Sequence, residues 1–517
     1  MRTFHILIKD TLFVNILSVT VALKSLVGQP KVVPFLTCEI FKGVKVVSII
    51  YMSIRKGYDC IIIGGGISGL YVAYNLLRSG LRVLVLEKSD RLGGRVFTFH
   101  GGMTVDTGAG RFSSSHPLIC GLLKELGLWG KRVKNGTSVA HCYIENGKSR
   151  IMTSIMDYDA MVFEKAQPNV LNWSLDMILD LVNQLRSHGA TLPNVGLVAR
   201  LLAAGALRSR KSLIGQSFIS FAKSVLTPDE VDFLLGSFGY YSELVLMNAH
   251  DCLRLMMELD PSNGFYSLKG GLSQVIEGLE KRIRKLGGEI VLRREVLGIK
   301  RILDGQEEYI VSGVGSRGGG FSYHSKRVVC AVTKVDLMRW ALFRPLSGVL
   351  SGLVSAPLCR VYARYSVGRE GVWFKGLCKL TVNNELRMVI PISEREGVIM
   401  ITYTDNRFAD YWKGVWQRGG EAGLNRRIRV LIRDATGMDI PDAEEIRLFY
   451  WPRGVGYWGV GIDSAEVSQK MIQPLYNPSL GDGHKGLFVC GENFSEHYQQ
   501  WMEGALETGA RVVERIL

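Results

Sequence analysis

The stretch YDCIIIGGGISGLYVAYNLLRSGLRVLVLE, residues 58–87, decides the fold of this chain. Residues 58–63 form a short apolar run typical of a strand that is buried on both faces. From Leu70 to Leu77 the apolar residues recur at helical spacing, and Gly80 stands where a glycine commonly follows a helix. A second apolar run at residues 82–86 predicts a parallel strand beside the first. The order strand, helix, strand opens a doubly wound α/β domain.

The glycines between the first strand and the helix predict a dinucleotide site. Gly64 permits the tight turn, Gly66 lets the backbone approach a pyrophosphate, and Gly69 lets the helix pack closely against the strand. The phosphates would bind free N–H groups at the helix N-terminus. Glu87 ends the second strand, where a carboxylate accepts hydrogen bonds from ribose hydroxyls. Because the strand, glycines, helix, second strand and acid follow one another at the expected spacing, we favour a nucleotide site over a glycine-rich turn that binds nothing.

Further motifs distinguish FAD from NAD as the expected cofactor. RLGGR (residues 91–95) and DTGAGR (106–111) follow Glu87, and GENFSEHYQQWMEGA (491–505) follows a second buried strand near the end of the chain. A helix is predicted over residues 502–516. These runs resemble the flavin-containing amine oxidases, which include monoamine, polyamine and L-amino-acid oxidases. The resemblance covers residues 57–517.

The resemblance implies an α/β fold, α+β overall. A Rossmann-like FAD-binding domain, discontinuous in sequence, would join a mixed-sheet substrate domain with a helical insertion. The implied FAD-binding segments are 57–112, 265–333 and 451–517, and the substrate segments are 113–264 and 334–450.

The family's motifs, transferred residue by residue, imply a bound FAD. The implied binding residues are Gly64, Gly66, Ser68, Gly69, Glu87, Lys88, Gly94, Arg95, Gly108, Ala109, Gly110, Arg111, Val296, Gly491, Glu492, Trp501, Met502 and Ala505. Val296 would contact adenine through its backbone. Members with covalent flavin carry a Cys near position 457, where this chain has Val455-Gly456. We therefore expect non-covalent FAD.

The resemblance also implies a reaction. In this family a hydride passes from the C–H beside an amine to flavin N5, the imine hydrolyses, and O2 is reduced to H2O2. L-Amino-acid oxidases carry Gly-x-x-Arg before a hydrophobic residue, as in Gly108-Ala-Gly-Arg111-Phe112 here, and the planar guanidinium suits a substrate carboxylate. We therefore predict oxidative deamination of an L-amino acid to a 2-oxo acid and ammonia. Arg111 paired with a local acid or a flavin phosphate is the alternative.

Four more positions complete the predicted catalytic set. Trp501 corresponds to one aromatic of the family's substrate cage, and Tyr457 and Trp458 flank the position of the other. On a strand, Tyr457 and Trp458 would face opposite sides. Arg360 stands where many members have a lysine near flavin N5, which leaves open an electron acceptor other than O2. We interpret His497 as structural or substrate-lining.

Other functions remain open at this point. An amine or polyamine oxidase would use acids such as Asp405 and Glu385 for cationic tails. A desaturase or protoporphyrinogen-type flavoprotein would leave Arg111 and Trp501 without a clear role. A catalytically silent FAD-bound scaffold could bind nucleic acid through a basic surface.

Composition excludes several classes of protein. The chain has 517 residues and a net charge of +15, which we interpret as a solvated basic surface rather than a nucleic-acid site. Its nine cysteines are scattered without a CxxC pair, which argues against a disulfide framework, and no cluster has metal-ligand spacing. No uncharged apolar run is long enough to cross a bilayer as a helix. We expect a cytoplasmic enzyme with small-molecule substrates and no firm membrane association. The oligomeric state is open, with a dimer as one option.

The start of the chain differs in character from the rest. An apolar run at residues 11–23 follows Arg2 and Lys9 and is similar to a leader. Met52 lies shortly before the first strand. Our hypothesis is that residues 1–56 are a leader or upstream extension outside the folded enzyme, with a membrane anchor as the alternative.

Overall fold

The structure is a computed structural model. It describes residues 57–134, 197–258, 264–304, 306–377, 379–477, 479 and 482–517, together with the backbone of five strands at 4–7, 32–41, 44–53, 141–145 and 148–152.

The strands are numbered in chain order. They are β1 (Phe4–Leu7), β2 (Val32–Phe41), β3 (Val44–Ser53), β4 (Cys60–Ile63), β5 (Val83–Leu86), β6 (Thr98–His100), β7 (Thr104–Asp106), β8 (Phe112–Ser113), β9 (Arg132–Lys134), β10 (His141–Glu145), β11 (Lys148–Met152), β12 (Phe265–Leu268), β13 (Glu289–Val291), β14 (Arg294–Asp304), β15 (Gln306–Gly315), β16 (Gly320–Ser325), β17 (Val328–Cys330), β18 (Leu353–Arg364), β19 (Lys379–Val382), β20 (Met388–Ser393), β21 (Val398–Asp405), β22 (Glu445–Trp458), β23 (Tyr476–Asn477), β24 (Asp482–Gly483) and β25 (Leu487–Val489).

The α-helices are numbered in the same way. They are α1 (Ile67–Arg78), α2 (Pro117–Glu125), α3 (Leu197–Ala206), α4 (Arg210–Ile214), α5 (Phe218–Lys223), α6 (Pro228–Ser237), α7 (Tyr241–Leu246), α8 (Ala249–Glu258), α9 (Ser273–Lys285), α10 (Lys334–Arg339), α11 (Ser347–Ser351), α12 (Asn406–Thr436, interrupted at Gly420), α13 (Ser464–Ile472) and α14 (Met502–Ile516). Short 3₁₀ stretches occur at Trp129–Lys131, Ala341–Leu346 and Glu492–Phe494.

A five-stranded parallel sheet carries the motif of residues 58–87. Its order is β13-β5-β4-β17-β25. Numbered by first appearance, this is 3-2-1-4-5, a doubly wound arrangement. The strands come from all three segments predicted to bind FAD. The sheet is therefore assembled from parts of the chain that lie far apart in sequence.

Both faces of this sheet are covered. Cys60 and Ile62 pack with α1, α9 and α14 on one face, while Ile61 and Ile63 pack on the other face against β14, β15 and the segment around Trp340. Successive side chains of a strand point to opposite faces. A strand buried on both sides must therefore be apolar at every position, as residues 60–63 are.

A seven-stranded mixed sheet forms the second layer, in the order β11-β10-β19-β20-β21-β18-β22. Its pairs are antiparallel except β10 with β19. Helix α12 packs on one face, and helices α3–α8 form a separate cluster that reaches Ala356 and Tyr457. The mixed sheet and helical insertion agree with the predicted α/β fold class. The domain boundaries themselves stay a prediction.

The first strands form an antiparallel sheet of their own, in the order β1-β3-β2, with Met52 in β3. The apolar run at residues 11–23 lies outside the described residues, and the leader hypothesis stays a prediction. Within the part of the chain that the structure describes, no helix combines the length and hydropathy needed to cross a bilayer.

Candidate active site

One cavity of about 500 Å³ begins at the carboxyl ends of the parallel strands and continues to the seven-stranded sheet. Ile63, Leu86 and Gly491 line it on the parallel-sheet side, and Leu358 and Tyr457 line it on the other. Ligands of doubly wound sheets bind at this edge.

Most of the predicted site residues line this cavity. They are Gly64, Gly66, Ser68, Glu87, Lys88, Gly94, Arg95, Gly108, Ala109, Gly110, Arg111, Val296, Arg360, Tyr457, Gly491, Glu492, Trp501, Met502 and Ala505. Gly69 and Trp458 are the two predicted residues outside it. Chain segments distant in sequence therefore meet at one site.

The three glycines around the start of α1 are required for different structural reasons. Gly64 has φ of +110°, and a Cβ there would lie 2.3 Å from the carbonyl oxygen of Ala331. A Cβ on Gly69 would lie 2.1 Å from the carbonyl oxygen of Gly64, as expected of a packing glycine. A Cβ on Gly66 would meet no atom within 4 Å, so this position faces open space in the cavity.

Glu87 is held by the loops around it. Its Oε2 accepts a hydrogen bond from the Gly65 N–H at 2.7 Å, and its Oε1 accepts from Ser89 N and Oγ. Lys88 pairs with Asp336 at 2.8 Å at the edge of the cavity. The carboxylate is thus fixed beside the glycine loop where the sequence predicts a ribose partner.

An ion pair joins two segments that lie far apart in the chain. Arg95 pairs with Glu492 and also donates to the Gly454 carbonyl oxygen at 3.3 Å. Glu492 accepts in addition from the Gln500 N–H at 2.7 Å. This pair joins the first and last segments predicted to bind FAD.

Two helices begin at the cavity without a side-chain cap. Helix α1 has Gly66 as its N-cap and α14 has Trp501, and neither makes a side-chain capping bond. The positive end of each helix dipole therefore faces the cavity with free N–H groups, which suits anionic or electron-rich groups. Together with Glu87, this donor and acceptor set fits FAD.

Arg111 is surrounded by aromatic rings. Its guanidinium carbon lies 4.5 Å from the Phe265 ring centre, 5.5 Å from that of Trp501 and 5.9 Å from that of Tyr240. Its Nη2 donates to the Tyr240 hydroxyl at 2.5 Å. Among the described residues, no carboxylate lies within ion-pair distance of Arg111. The alternative that Arg111 pairs with a nearby acid therefore has no support in the described part of the chain.

Arg360 is buried, with 6% of its surface exposed. Its Nη1 donates to the Asp106 carbonyl oxygen at 2.9 Å, and its guanidinium carbon lies 4.5 Å from the Tyr403 ring centre. A Cβ on Gly110 would lie 2.7 Å from Nη1. Arg360 thus ties the DTGAGR segment to the second sheet.

Tyr457 and Trp458 point to opposite sides of β22. Tyr457 lines the cavity, whereas Trp458 is fully buried in the core on the other side of the strand. The indole Nε1 of Trp458 donates to the Ser495 carbonyl oxygen at 3.3 Å. Trp458 is therefore corrected from a catalytic candidate to a core residue, because the alternation of a strand allows only one of the pair to face the cavity.

Trp501 is fixed by its neighbours. It stacks on Phe265 with ring centres 5.8 Å apart and planes at 12°, and His116 packs edge-on at 5.0 Å. Burial lowers the pKa of His116 to about 4, with the charge of Arg111 contributing, so this imidazole stays neutral at ordinary pH. A neutral ring can pack against indole next to a cation without repulsion.

Three other candidates have different surroundings. His497 pairs with Glu507 at 2.7 Å on the surface and does not line the cavity, which supports a structural role. Glu385 also lies outside the cavity and pairs with Arg427 at 3.4 Å. Asp405 lines the cavity, and its carboxylate accepts from the Ser242 N–H at 3.2 Å.

Sequence reasoning missed Tyr240, Glu243 and Tyr403, which all line the cavity. Glu243 is 5% exposed, and within the described part of the chain its Oε2 has no hydrogen-bond partner. Burial raises the pKa of Glu243 well above its usual range; nearby Asp405 raises it further and Arg111 opposes the shift. The segments around residues 240–243 and 403 carry no motif, so no local signal could have singled these residues out.

Comparison with known proteins identifies the family. The model of the flavin containing amine oxidoreductases matches residues 67–517. The chain belongs to this family. This flavin-containing amine oxidoreductase is thus an enzyme and a flavoprotein with FAD as its cofactor, as its motifs predict.

Curated relatives of this oxidoreductase match over short segments. A flavin-containing amine oxidase of Oncorhynchus mykiss is 40% identical over 100 residues, which is 19% of each chain. An L-amino-acid oxidase of Naja atra is 33% identical over 94 residues, 18% of each chain. The matched segments therefore span about a fifth of these relatives' length.

Solved structures match over most of the chain. A putrescine oxidase bound to putrescine has a TM-score of 0.63 at 17% identity, covering 89% of this chain and 98% of that one. A cyclohexylamine oxidase from Brevibacterium oxydans IH-35A has a TM-score of 0.61 at 18% identity, covering 89% and 99%. These likenesses establish an amine oxidase fold.

Proposed function

We propose that this enzyme oxidises L-amino acids with non-covalent FAD, releasing a 2-oxo acid and ammonia, with O2 as acceptor. The observation that carries the proposal is Arg111, a cation lining the cavity with no carboxylate partner among the described residues. A planar guanidinium binds a carboxylate through two parallel hydrogen bonds. A substrate carboxylate would supply the missing partner.

The chain's own residues orient the substrate. Tyr240 holds one edge of Arg111 by accepting its Nη2–H, and Phe265 and Trp501 restrict the guanidinium plane. Burial raises the pKa of the Tyr240 hydroxyl, so it remains a neutral hydrogen-bond acceptor. Trp501 and Tyr457 both line the cavity and would limit the positions open to the substrate's Cα. A bound FAD would supply the hydride acceptor for that carbon.

The residues proposed to hold FAD follow the cavity from one end to the other. The free N–H groups of α1 would bind the pyrophosphate, Glu87 the ribose and the Val296 backbone the adenine. The start of α14 would bind the flavin ring, where negative charge gathers on reduction.

An amine or polyamine oxidase is the second candidate. Glu243 and Asp405 support it, because both line the cavity that holds Arg111. A substrate without a carboxylate would leave Arg111 unused, and a cationic amine would use the acids instead.

Anaerobic bleaching of the flavin tests the proposal. The full-length holoenzyme would be mixed separately with L-amino acids, D-amino acids, monoamines and polyamines, and the visible spectrum recorded. We expect an L-amino acid to bleach the flavin, and Arg111→Ala to raise the required concentration by about 100-fold. Bleaching by amines alone would favour the second candidate. A yellow protein that no compound bleaches would favour a silent scaffold.

A further inference from the structure

We call the part of the cavity lined by Arg111, Tyr240 and Glu243 the substrate end. It contains a buried acid that can accept a further hydrogen bond. Glu243 lines the cavity and is 5% exposed, and its Oε2 has no hydrogen-bond partner among the residues that the structure describes. Such a group costs folding free energy unless a ligand satisfies it. The described part of the fold does not use this oxygen.

Asp405, the neighbouring acid, is already in use. It precedes α12, and both of its oxygens accept from the Ser242 N–H at 3.2 Å. Ser242 lies in the first turn of α7, so Asp405 stabilises the start of the helix that carries Glu243. The two acids therefore differ: Asp405 has a structural partner and Glu243 has a free oxygen.

A single segment, residues 240–243, contains Glu243 and also contacts Arg111. Tyr240, the N-cap of α7, accepts from Arg111, and Glu243 follows in the first turn of the same helix. Arg111 and Glu243 thus place a cation and an acid on the lining of the same cavity, beyond ion-pair distance of each other. The Arg111 guanidinium suits a substrate carboxylate. A substrate cation next to Glu243 would favour the ionised form of this carboxyl, whose pKa burial otherwise raises.

The acid does not suit the reacting nitrogen. Oxidation requires a neutral amine, whereas a carboxylate beside the α-amino group would hold it as ammonium. A cation farther along the side chain meets no such conflict. Leu255 lines the same cavity and can pack against methylene groups.

We propose that Glu243 binds a positively charged substrate side chain, so that the enzyme prefers basic L-amino acids such as L-lysine and L-arginine. This inference rests on the proposed L-amino-acid oxidation.

Matched substrates test it with the full-length holoenzyme. L-Norleucine differs from L-lysine mainly by lacking the terminal ammonium, and L-citrulline is the neutral counterpart of L-arginine. We expect kcat/KM to be at least about 100-fold higher for each charged member. Glu243→Gln should reduce this preference to below about 5-fold through loss of activity on the charged substrates. Glu385→Gln, an acid outside the cavity, should leave it unchanged.

The outcomes separate the two proposals. Equal kcat/KM for lysine and norleucine would overturn the role of Glu243 while leaving L-amino-acid oxidation in place. A preference that survives Glu243→Gln would overturn it as well. If no L-amino acid, charged or neutral, reduces the flavin, both proposals fail. The wild-type comparison needs no variant, so a misfolded Glu243→Gln protein leaves the inference decidable.

Discussion

Arg111 and Arg360 line one cavity in different surroundings. Arg111 contacts aromatic faces and one hydroxyl, which leaves its hydrogen-bonding edge available to a ligand. Arg360 instead donates to the Asp106 carbonyl oxygen and packs on Tyr403. Both residues are arginines, so residue type does not distinguish a ligand-binding role for Arg111 from a positioning role for Arg360. Their partners do.

At the scale of single residues, we predict that Arg360→Lys speeds reoxidation of the reduced flavin by O2 at least about 10-fold. Lysine is compact and strongly hydrated, so it can hold a water molecule, whereas the guanidinium is bulky and weakly hydrated. The measurement is stopped-flow mixing of substrate-reduced enzyme with oxygenated buffer. Arg364→Lys, on the same strand but outside the cavity lining, is the control. An unchanged rate in Arg360→Lys would contradict the prediction.

Among the elements, the N-terminal end of α1 combines packing and ligand access. Gly69 is enclosed by the Gly64 carbonyl oxygen and the side chains of Ala331 and Ile62, while Gly66 faces the cavity. The two glycines should therefore respond differently to the same added methyl group.

We predict that Gly69→Ala lowers the free energy of unfolding by about 2–4 kcal/mol, because its Cβ would overlap the Gly64 carbonyl. Gly66→Ala should unfold within about 0.5 kcal/mol of wild type as apoprotein and yet bind FAD at least about 10-fold more weakly. Urea unfolding and FAD titration measure the two effects. Equal FAD affinity in Gly66→Ala and wild type would count against a cofactor at this turn.

The buried carboxyl of Asp405 gives the fold a pH-dependent stability. Burial raises the pKa of its carboxyl to about 6, against the Ser242 hydrogen bond and the charge of Arg387, which lower it. Because the folded pKa exceeds the unfolded one, this group's stabilisation is complete below about pH 4 and is lost as the pH rises through 6.

Asp405→Asn should remove this dependence while keeping an acceptor for Ser242. The free energy of unfolding of the variant apoprotein, taken relative to wild type, should rise by about 2–3 kcal/mol between pH 4 and pH 7.5. Urea unfolding at both pH values measures the difference. A difference that is constant with pH would show that Asp405 does not titrate in this range.

At the scale of the whole molecule, the cavity joins segments from both ends of the family-matched region. The Arg95–Glu492 pair and the two helix N-termini all face it. A cofactor bound there would contact elements from opposite ends of that region. It would therefore stabilise the assembled sheet as well as supply chemistry.

We predict that FAD is held without a covalent bond. The segment where covalent members of the family carry a cysteine is Val455-Gly456 here, which offers no thiol to the flavin. Acid precipitation should leave all FAD in the supernatant. Refilled apoprotein should then regain the wild-type melting temperature. Flavin that stays in the precipitate would contradict the prediction.

Local sequence determined much of this architecture. The strand at residues 60–63, the glycine turn, the helix Ile67–Arg78 and the final helix Met502–Ile516 all follow from apolar spacing and glycine geometry within short windows. Burial on two faces and close approach of backbones impose these patterns directly on neighbouring residues.

The tertiary structure alone decided how the substrate end is composed. It placed Glu243 and Tyr240 beside Arg111, which is distant from both in sequence, and turned Tyr457 rather than Trp458 toward the cavity. It also put Glu385 outside the cavity. Such contacts depend on how separate sheets and helices pack, and packing between distant segments leaves no periodic or local signal in the residues themselves.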